Sequence, residues 1–231
     1  MKTGADTFDY RDETHPRESW DQFLVRKLGE DRLNNPEKYQ NDEPIGDHLG
    51  GHLEKTHNDR GAFLFLKDTV GPEILSRKAE SFIDVGCATG GMVRVALDRG
   101  LQSIGVDGDY QVPKENAPII IHDFCTGPLE LDWYFDIGWS VEFVEHVEEE
   151  YMDNWMSIFE RCRMVAITYA PPGWPGHHHV NCQDQKYWED KFAEHQLIYD
   201  EETTMRMREA SNMRKPFMQD RGLFFYNERD I

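Results

Sequence analysis

The chain is short of positive charge. Its 231 residues hold 25 Lys and Arg against 44 Asp and Glu, a formal net charge of −19. A surface of that sign repels a phosphate backbone and disfavours a long nucleic-acid partner. No arginine-rich stretch with interleaved aromatics offsets it. Paired cysteines are also missing. Cys87, Cys125, Cys162 and Cys182 form no CxxC, and a chain of this length can bury a core without disulfide staples. Reduced thiols and a cytoplasmic setting are expected. No apolar stretch follows Met1, so no secretory signal is expected. No apolar run approaches the length of a membrane span, so no membrane contact is expected. Internal repeats and low-complexity tracts are absent as well. What is present, 39% hydrophobic and 12% aromatic residues, is enough for one globular domain with a terminal extension.

Residues 1 to about 45 are polar, yet Trp20, Phe23, Leu24 and Leu28 recur at helical spacing and predict one amphipathic helix. IGDHLGGHLEKTHNDRG reads as a Gly/His-rich loop. AFLFLKDTV reads as a helix, capped by Asp59 and stopped by Gly71-Pro72. From residue 81 the rhythm changes. SFIDVG, SIGVDGD, PIIIHDF, YFDIGWSV, RMVAITYA and RGLFFYNE read as strands. Between them GGMVRVALDRG, an acidic segment through Trp155, Ile158 and Phe159, and DQKYWEDKFAEHQ read as helices. That alternation implies an α/β fold, a mostly parallel sheet with helices on both faces. The expected division is a helical extension or lid over 1–78 and the main domain over 79–231. Ligands of such sheets bind at the carboxyl ends of the strands, near the switch in strand order.

The turn after the first strand reads Asp84-Val85-Gly86-Cys87-Ala88-Thr89-Gly90-Gly91. Glycines there let backbone approach a ligand and turn sharply into a helix, whose N-terminus favours a carboxylate or phosphate. The pattern is GxxxG, not the GxGxxG of a dinucleotide fingerprint, which speaks against a nicotinamide-dependent dehydrogenase. Asp107 ends the second strand, where a carboxylate can accept both hydroxyls of a ribose. Asp123 follows the third, where it can accept the exocyclic amine of an adenine. Phe124 offers a ring face beside it.

DVGCATGG, GVDGD, HDF and FDIGWSVEFVEH, in that order, resemble the class I S-adenosylmethionine-dependent methyltransferases over about residues 80 to 200. The resemblance implies a Rossmann-like, mostly parallel, seven-stranded sheet and S-adenosyl-L-methionine as cofactor. It implies that Asp84, Gly86, Cys87 and Gly90 shape the methionine end of the pocket. Asp107 and Gly108 would hold the ribose, Asp123 and Phe124 the adenine, with Ser140 at the end of the fourth strand. Ala88 stands where many members have glycine. In such enzymes an N-terminal extension often covers the active site.

WSVEFVEHVEEE places Glu142, Glu145 and His146 at spacings of three and four, so one helical turn can present all three on one face. A solvated acidic face is the bland reading. Two carboxylates and an imidazole are also a partial shell for a divalent cation. The loop PPGWPGHHHVNCQDQKYW follows the fifth strand and carries His177, His178 and His179. ExxEH followed by a histidine-bearing loop and a YW helix is similar to the metal-dependent O-methyltransferases. That likeness implies Mg²⁺ or Mn²⁺ held by Glu142, Glu145, His146 and His179, with His178 fitting nearly as well as His179. Cys182 is a softer competitor, disfavoured by its oxygen-rich company. His179 or His146 would accept the proton of the acceptor, as a neutral histidine can. The expected reaction is methyl transfer to a hydroxyl of a small molecule or glycan. Trp20, Trp174, Trp188, His48, His52 and His57 are candidates to line the lid and acceptor pocket. A non-catalytic cofactor-binding protein and a metal-independent N- or C-methyltransferase are the alternatives.

Overall fold

A computed structural model describes residues 19–34, 46–49, 57–110 and 117–229. The strands are β1 (Ser81–Val85), β2 (Gln102–Asp107), β3 (Ile119–Ile121), β4 (Phe135–Ser140), β5 (Cys162–Thr168), β6 (Leu197–Tyr199) and β7 (Gly222–Asn227). They form one seven-stranded sheet in the order β3-β2-β1-β4-β5-β7-β6. β1 to β5 run parallel. β7 is antiparallel to β5, and β6 to β7. β1 and β4 are buried at every position, as the central strands of a sheet covered on both faces must be. Their sequences are accordingly apolar runs rather than alternating ones.

Neighbouring strand residues point to opposite faces. Ile83, Val85 and Val165 pack with Phe23, Trp155, Trp188 and Phe192 on one side. Phe82, Trp139 and Met164 pack with Phe63, Leu66 and Met207 on the other. The first face is covered by α1 (Trp20–Asn34), α5 (Met152–Phe159) and α6 (Gln185–Glu194). The second is covered by α2 (Arg60–Phe65), α3 (Gly71–Leu75), α4 (Gly91–Leu97), α7 (Glu201–Ala210) and α8 (Phe217–Arg221).

α1 forms where the spacing of its apolar residues predicts. Phe23 is fully buried, Trp20 lies edge-on to Trp133 at 5.3 Å, and Arg26 pairs with Asp132 at 2.8 Å. Asp59 caps α2, accepting the Ala62 N–H at 3.0 Å. Gly71-Pro72 does not stop the helix that follows. A single wide turn over Leu66–Val70 carries it into α3, which ends only at Ser76 with φ 57. Pro72 is tolerated because it sits in the first turn of the new segment, where its missing N–H is not needed.

The chain runs outward from β1 to β2 and β3, then returns to β4 on the far side of β1. The switch therefore lies between β1 and β4, and their carboxyl ends open a cleft. Among the described residues no helix is long and apolar enough to cross a membrane.

Candidate active site

The cleft has a volume of about 260 Å³ and is walled by the turn after β1, the ends of β2, β3 and β4, and the histidine loop. Three residues of the β1 turn are left-handed: Gly86 (φ 73), Ala88 (φ 46) and Gly90 (φ 81). A Cβ on Gly86 would lie 2.7 Å from the Phe143 Cβ, so only glycine fits. Ala88 carries strain that a glycine would relieve.

Asp107 clamps this turn to β2. One carboxylate oxygen accepts the Ala88 N–H at 2.6 Å and the other the Asp109 N–H at 2.8 Å. Asp123 accepts the Cys125 N–H at 2.8 Å, and its second oxygen lies 2.9 Å from the His48 Nε2. Burial opposes the Asp123 charge, but the bonds from His48 and the Cys125 N–H prevail and hold its carboxyl below the ordinary range. Gly86, Asp107, Gly108, Asp123 and Phe124 all line the cleft.

The other expected cofactor residues stand behind that wall. Gly90 is the left-handed N-cap of α4. The Ser140 hydroxyl is turned inward and donates to the Val85 carbonyl at 2.8 Å. Cys87 is buried in the small core with Val93, Ile119 and Ile121. Asp84 borders a separate void of about 30 Å³ with His57, Gly86 and Trp139. Burial, then the nearby Asp107, pushes its carboxyl well above the usual range.

The acidic stretch is not one helical face. Glu142 precedes the short 3-10 turn Val144–His146, has φ 53 and is not part of the compact group that contains Glu145. The Thr168 hydroxyl donates to the Glu142 carboxylate at 3.0 Å, and the Arg221 Nη2 lies 3.6 Å from it. Glu142 still lines the cleft, but Glu145, His146 and His179 form the compact group, with ligating atoms within 4.8 Å of one another. Glu145 is completely buried, and neither carboxyl oxygen has a hydrogen-bond partner. Burial, then the Glu142 charge, raises it to about 8. The His146 Nδ1 is also buried without a partner. Burial, then neighbouring His179, lowers His146 to about 4. The imidazole thus keeps a free lone pair at neutral pH.

The three consecutive histidines diverge. The His179 ring meets that of His146 edge-on at 4.8 Å. His177 reaches the mouth of the cleft. His178, at φ 47, points its Nε2 toward Glu148 at 3.3 Å and is not part of the wall. Cys182 Sγ lies 3.5 Å from the His179 Nδ1 but outside the compact group.

None of the three candidate tryptophans lines the cleft. Trp188 is fully buried against Trp155, and Trp20 packs beneath β4. Trp174 is exposed on the histidine loop with the Arg221 guanidinium over its ring at 4.4 Å. Trp188 and Phe192 are four apart on α6, which is core spacing rather than pocket spacing. His48 and His57 do line the cleft, while His52 lies outside the described residues. Phe217 is a wall residue the sequence did not single out. Its ring meets His57 edge-on at 5.1 Å. Thr168 and Arg221, which hold Glu142, were also missed. Position at the end of β5 is the one signal that could have found Thr168.

No protein-family model matches the sequence, and no curated protein is similar to it in sequence. Solved structures do match. A Haemonchus contortus phosphoethanolamine N-methyltransferase, bound to phosphomonomethylethanolamine and S-adenosylhomocysteine, aligns with a TM-score of 0.50 at 14% identity, over 92% of this chain and 61% of that one. A plantazolicin methyltransferase, bound to a triazolic desmethyl analogue and S-adenosylhomocysteine, aligns with a TM-score of 0.50 at 10% identity, over 90% of this chain and 98% of that one. The protein spans about three fifths of the length of the first. Its fold is the class I S-adenosylmethionine-dependent methyltransferase fold.

Proposed function

We propose that the protein is an S-adenosylmethionine-dependent O-methyltransferase that acts on a hydroxyl of a small molecule or glycan with help from a divalent cation such as Mg²⁺ or Mn²⁺. The observation that carries the reading is the Glu145 carboxyl, buried and unpartnered, grouped with His146 and His179. A buried charge without a partner is strongly unfavourable, and a coordinated cation removes that penalty. One carboxylate and two imidazoles are a mixed oxygen–nitrogen set that fits Mn²⁺ or a similar transition-metal ion and fits Mg²⁺ less well, since imidazole favours transition metals. Glu142, on the same wall, adds a second carboxylate. Bound there, such a cation would make a chelated substrate hydroxyl more acidic.

The remaining steps belong to this chain. Asp107 and Asp123 offer acceptors for the ribose hydroxyls and the adenine amine, and Phe124 supplies an apolar face. The Gly86 turn lets backbone come close at the methionine end. S-adenosylmethionine, when bound, supplies the methyl group on a good leaving group, so alignment and proton removal remain. Whichever of His179 and His146 does not engage the cation takes the proton from the attacking hydroxyl, because a coordinated lone pair cannot also accept one. Residues 46–49 and His57, from the 1–78 extension, serve as the cover that keeps water out.

Calorimetry tests the proposal. S-adenosylhomocysteine should bind the protein, and Mn²⁺ should then bind stoichiometrically to the saturated complex. Glu145→Ala and His179→Ala should lose the Mn²⁺ and retain the homocysteine product. Absence of Mn²⁺ binding in the wild type would refute the cation-assisted mechanism. Absence of product binding would refute the methyltransferase reading itself.

A further inference from the structure

We infer that His48, Asp123 and Cys125 form a second, separate cation site, which takes a borderline-soft ion such as Zn²⁺ and locks residues 46–49 across one end of the cleft. The three residues come from two distant stretches of chain, and their ligating atoms all lie within 4.8 Å of one another. The His48 Nε2 is already 2.9 Å from an Asp123 oxygen. The Cys125 N–H fixes the other Asp123 oxygen at 2.8 Å, so the carboxylate is oriented before any ion arrives. Zinc bonds of about 2.0–2.3 Å place tetrahedral ligands about 3.3–3.8 Å apart. Small side-chain rotations bring the present group to that spacing.

The donor set decides the kind of ion. Nitrogen, oxygen and sulfur together suit zinc, whereas Glu145, His146 and His179 bring no sulfur. All three residues are partly exposed and line the cleft, so an ion can enter from it, and three protein ligands leave a fourth position open.

The location decides the consequence. Leu49 lies so close over Gly108 that a Cβ there would meet its Cδ2 at 2.6 Å. His48 and Leu49 thus cross the cleft between the ends of β2 and β3. An ion holding His48 to Asp123 and Cys125 would fasten this crossing and occupy Asp123. The competition that follows, between ion and cofactor, rests on the assignment of Asp123 to the adenine end. The ion site itself does not.

Cobalt reports the site directly, because thiolate coordination gives a charge-transfer absorption that oxygen and nitrogen ligands do not. Titration of Co²⁺ into the full chain should produce that band. Cys125→Ser and His48→Ala should abolish it, and Cys182→Ser should keep it. Zn²⁺ at saturation should weaken S-adenosylhomocysteine binding at least tenfold in the wild type and leave Cys125→Ser unchanged. No band, or a band that follows Cys182 instead of Cys125, overturns the site. A band with unaltered homocysteine affinity overturns the lock. Failure of the homocysteine product to bind even without metal overturns the cofactor reading alone, and the cobalt band still decides the site.

Discussion

Asp59 joins two segments that would otherwise be independent. Its carboxylate is fully buried. One oxygen accepts the Ala62 N–H and the Asn212 N–H, each at 3.0 Å, and the other accepts the Ser211 hydroxyl. His57 and Phe217, which meet across the cleft, flank this knot on its two strands of chain. Asp59→Ala removes the cap of α2, worth about 0.5–2 kcal/mol. It also takes the acceptor from two further, part-buried donors, the Ser211 hydroxyl and the Asn212 N–H, at about 1 kcal/mol each. The expected loss is about 2.5–4 kcal/mol in all. At about 2–4 °C per kcal/mol for a domain of this size, the Tm should fall by about 5–16 °C. Asp59→Asn keeps an acceptor for the two N–H groups and should lose less than half as much. Thermal unfolding followed by circular dichroism reads the stability, and calorimetry with S-adenosylhomocysteine reads the cleft. The alanine variant should also bind the ligand more weakly, because His57 and Phe217 lose their anchor. A fall in Tm under about 2 °C, or an asparagine variant no better than the alanine one, would refute the reasoning.

Two further outcomes are expected. Burial, then the Glu142 charge, raises the Glu145 carboxyl from its ordinary 4.5 to about 8 in the folded protein. The folded state then holds a proton that the unfolded chain has lost, so metal-free protein should lose stability as pH rises from 4.5 through about 8. Glu145→Gln should flatten that decline in thermal melts taken on either side of pH 8, and an unchanged slope would reassign the pH dependence. Gly86→Ala forces an L residue into φ 73 with its Cβ against Phe143. It should cost about 2–4 kcal/mol in urea unfolding, and a loss under about 0.5 kcal/mol would show that Phe143 moves aside freely.

The parts of the site that local sequence governs were legible. The β1 turn announces itself because left-handed backbone demands glycine, and Asp107 and Asp123 because one ends an apolar strand and the other lies two residues past one. Long apolar strands and the α1 spacing were readable for the same reason. What distant contacts decide was not. The direction of Glu142 depends on Thr168 and Arg221, which no spacing links to it. The choice among His177, His178 and His179 depends on a loop turn at φ 47. β6 is three residues long, too short to show alternation, and α7 mixes Thr, Met and Arg without a clear apolar stripe. Trp188 was a candidate for the pocket, although its spacing of four from Phe192 is that of a buried helix face.

The placement of β7 also orders the way this protein is built. β6 comes earlier along the chain, yet in the sheet it touches only β7, which wedges between it and β5. While β7 is still being synthesised, β6 has no strand to pair with and α7 no sheet edge to rest on. The first five strands can assemble as the chain emerges, but the last two must wait and then join together. Closing such non-local pairs is slow and leaves the β5 edge exposed in the meantime. A nascent chain of this kind passes through a stage in which Ile167 and its neighbours can be captured by another molecule, and the arrival of Leu223 and Phe225 ends it.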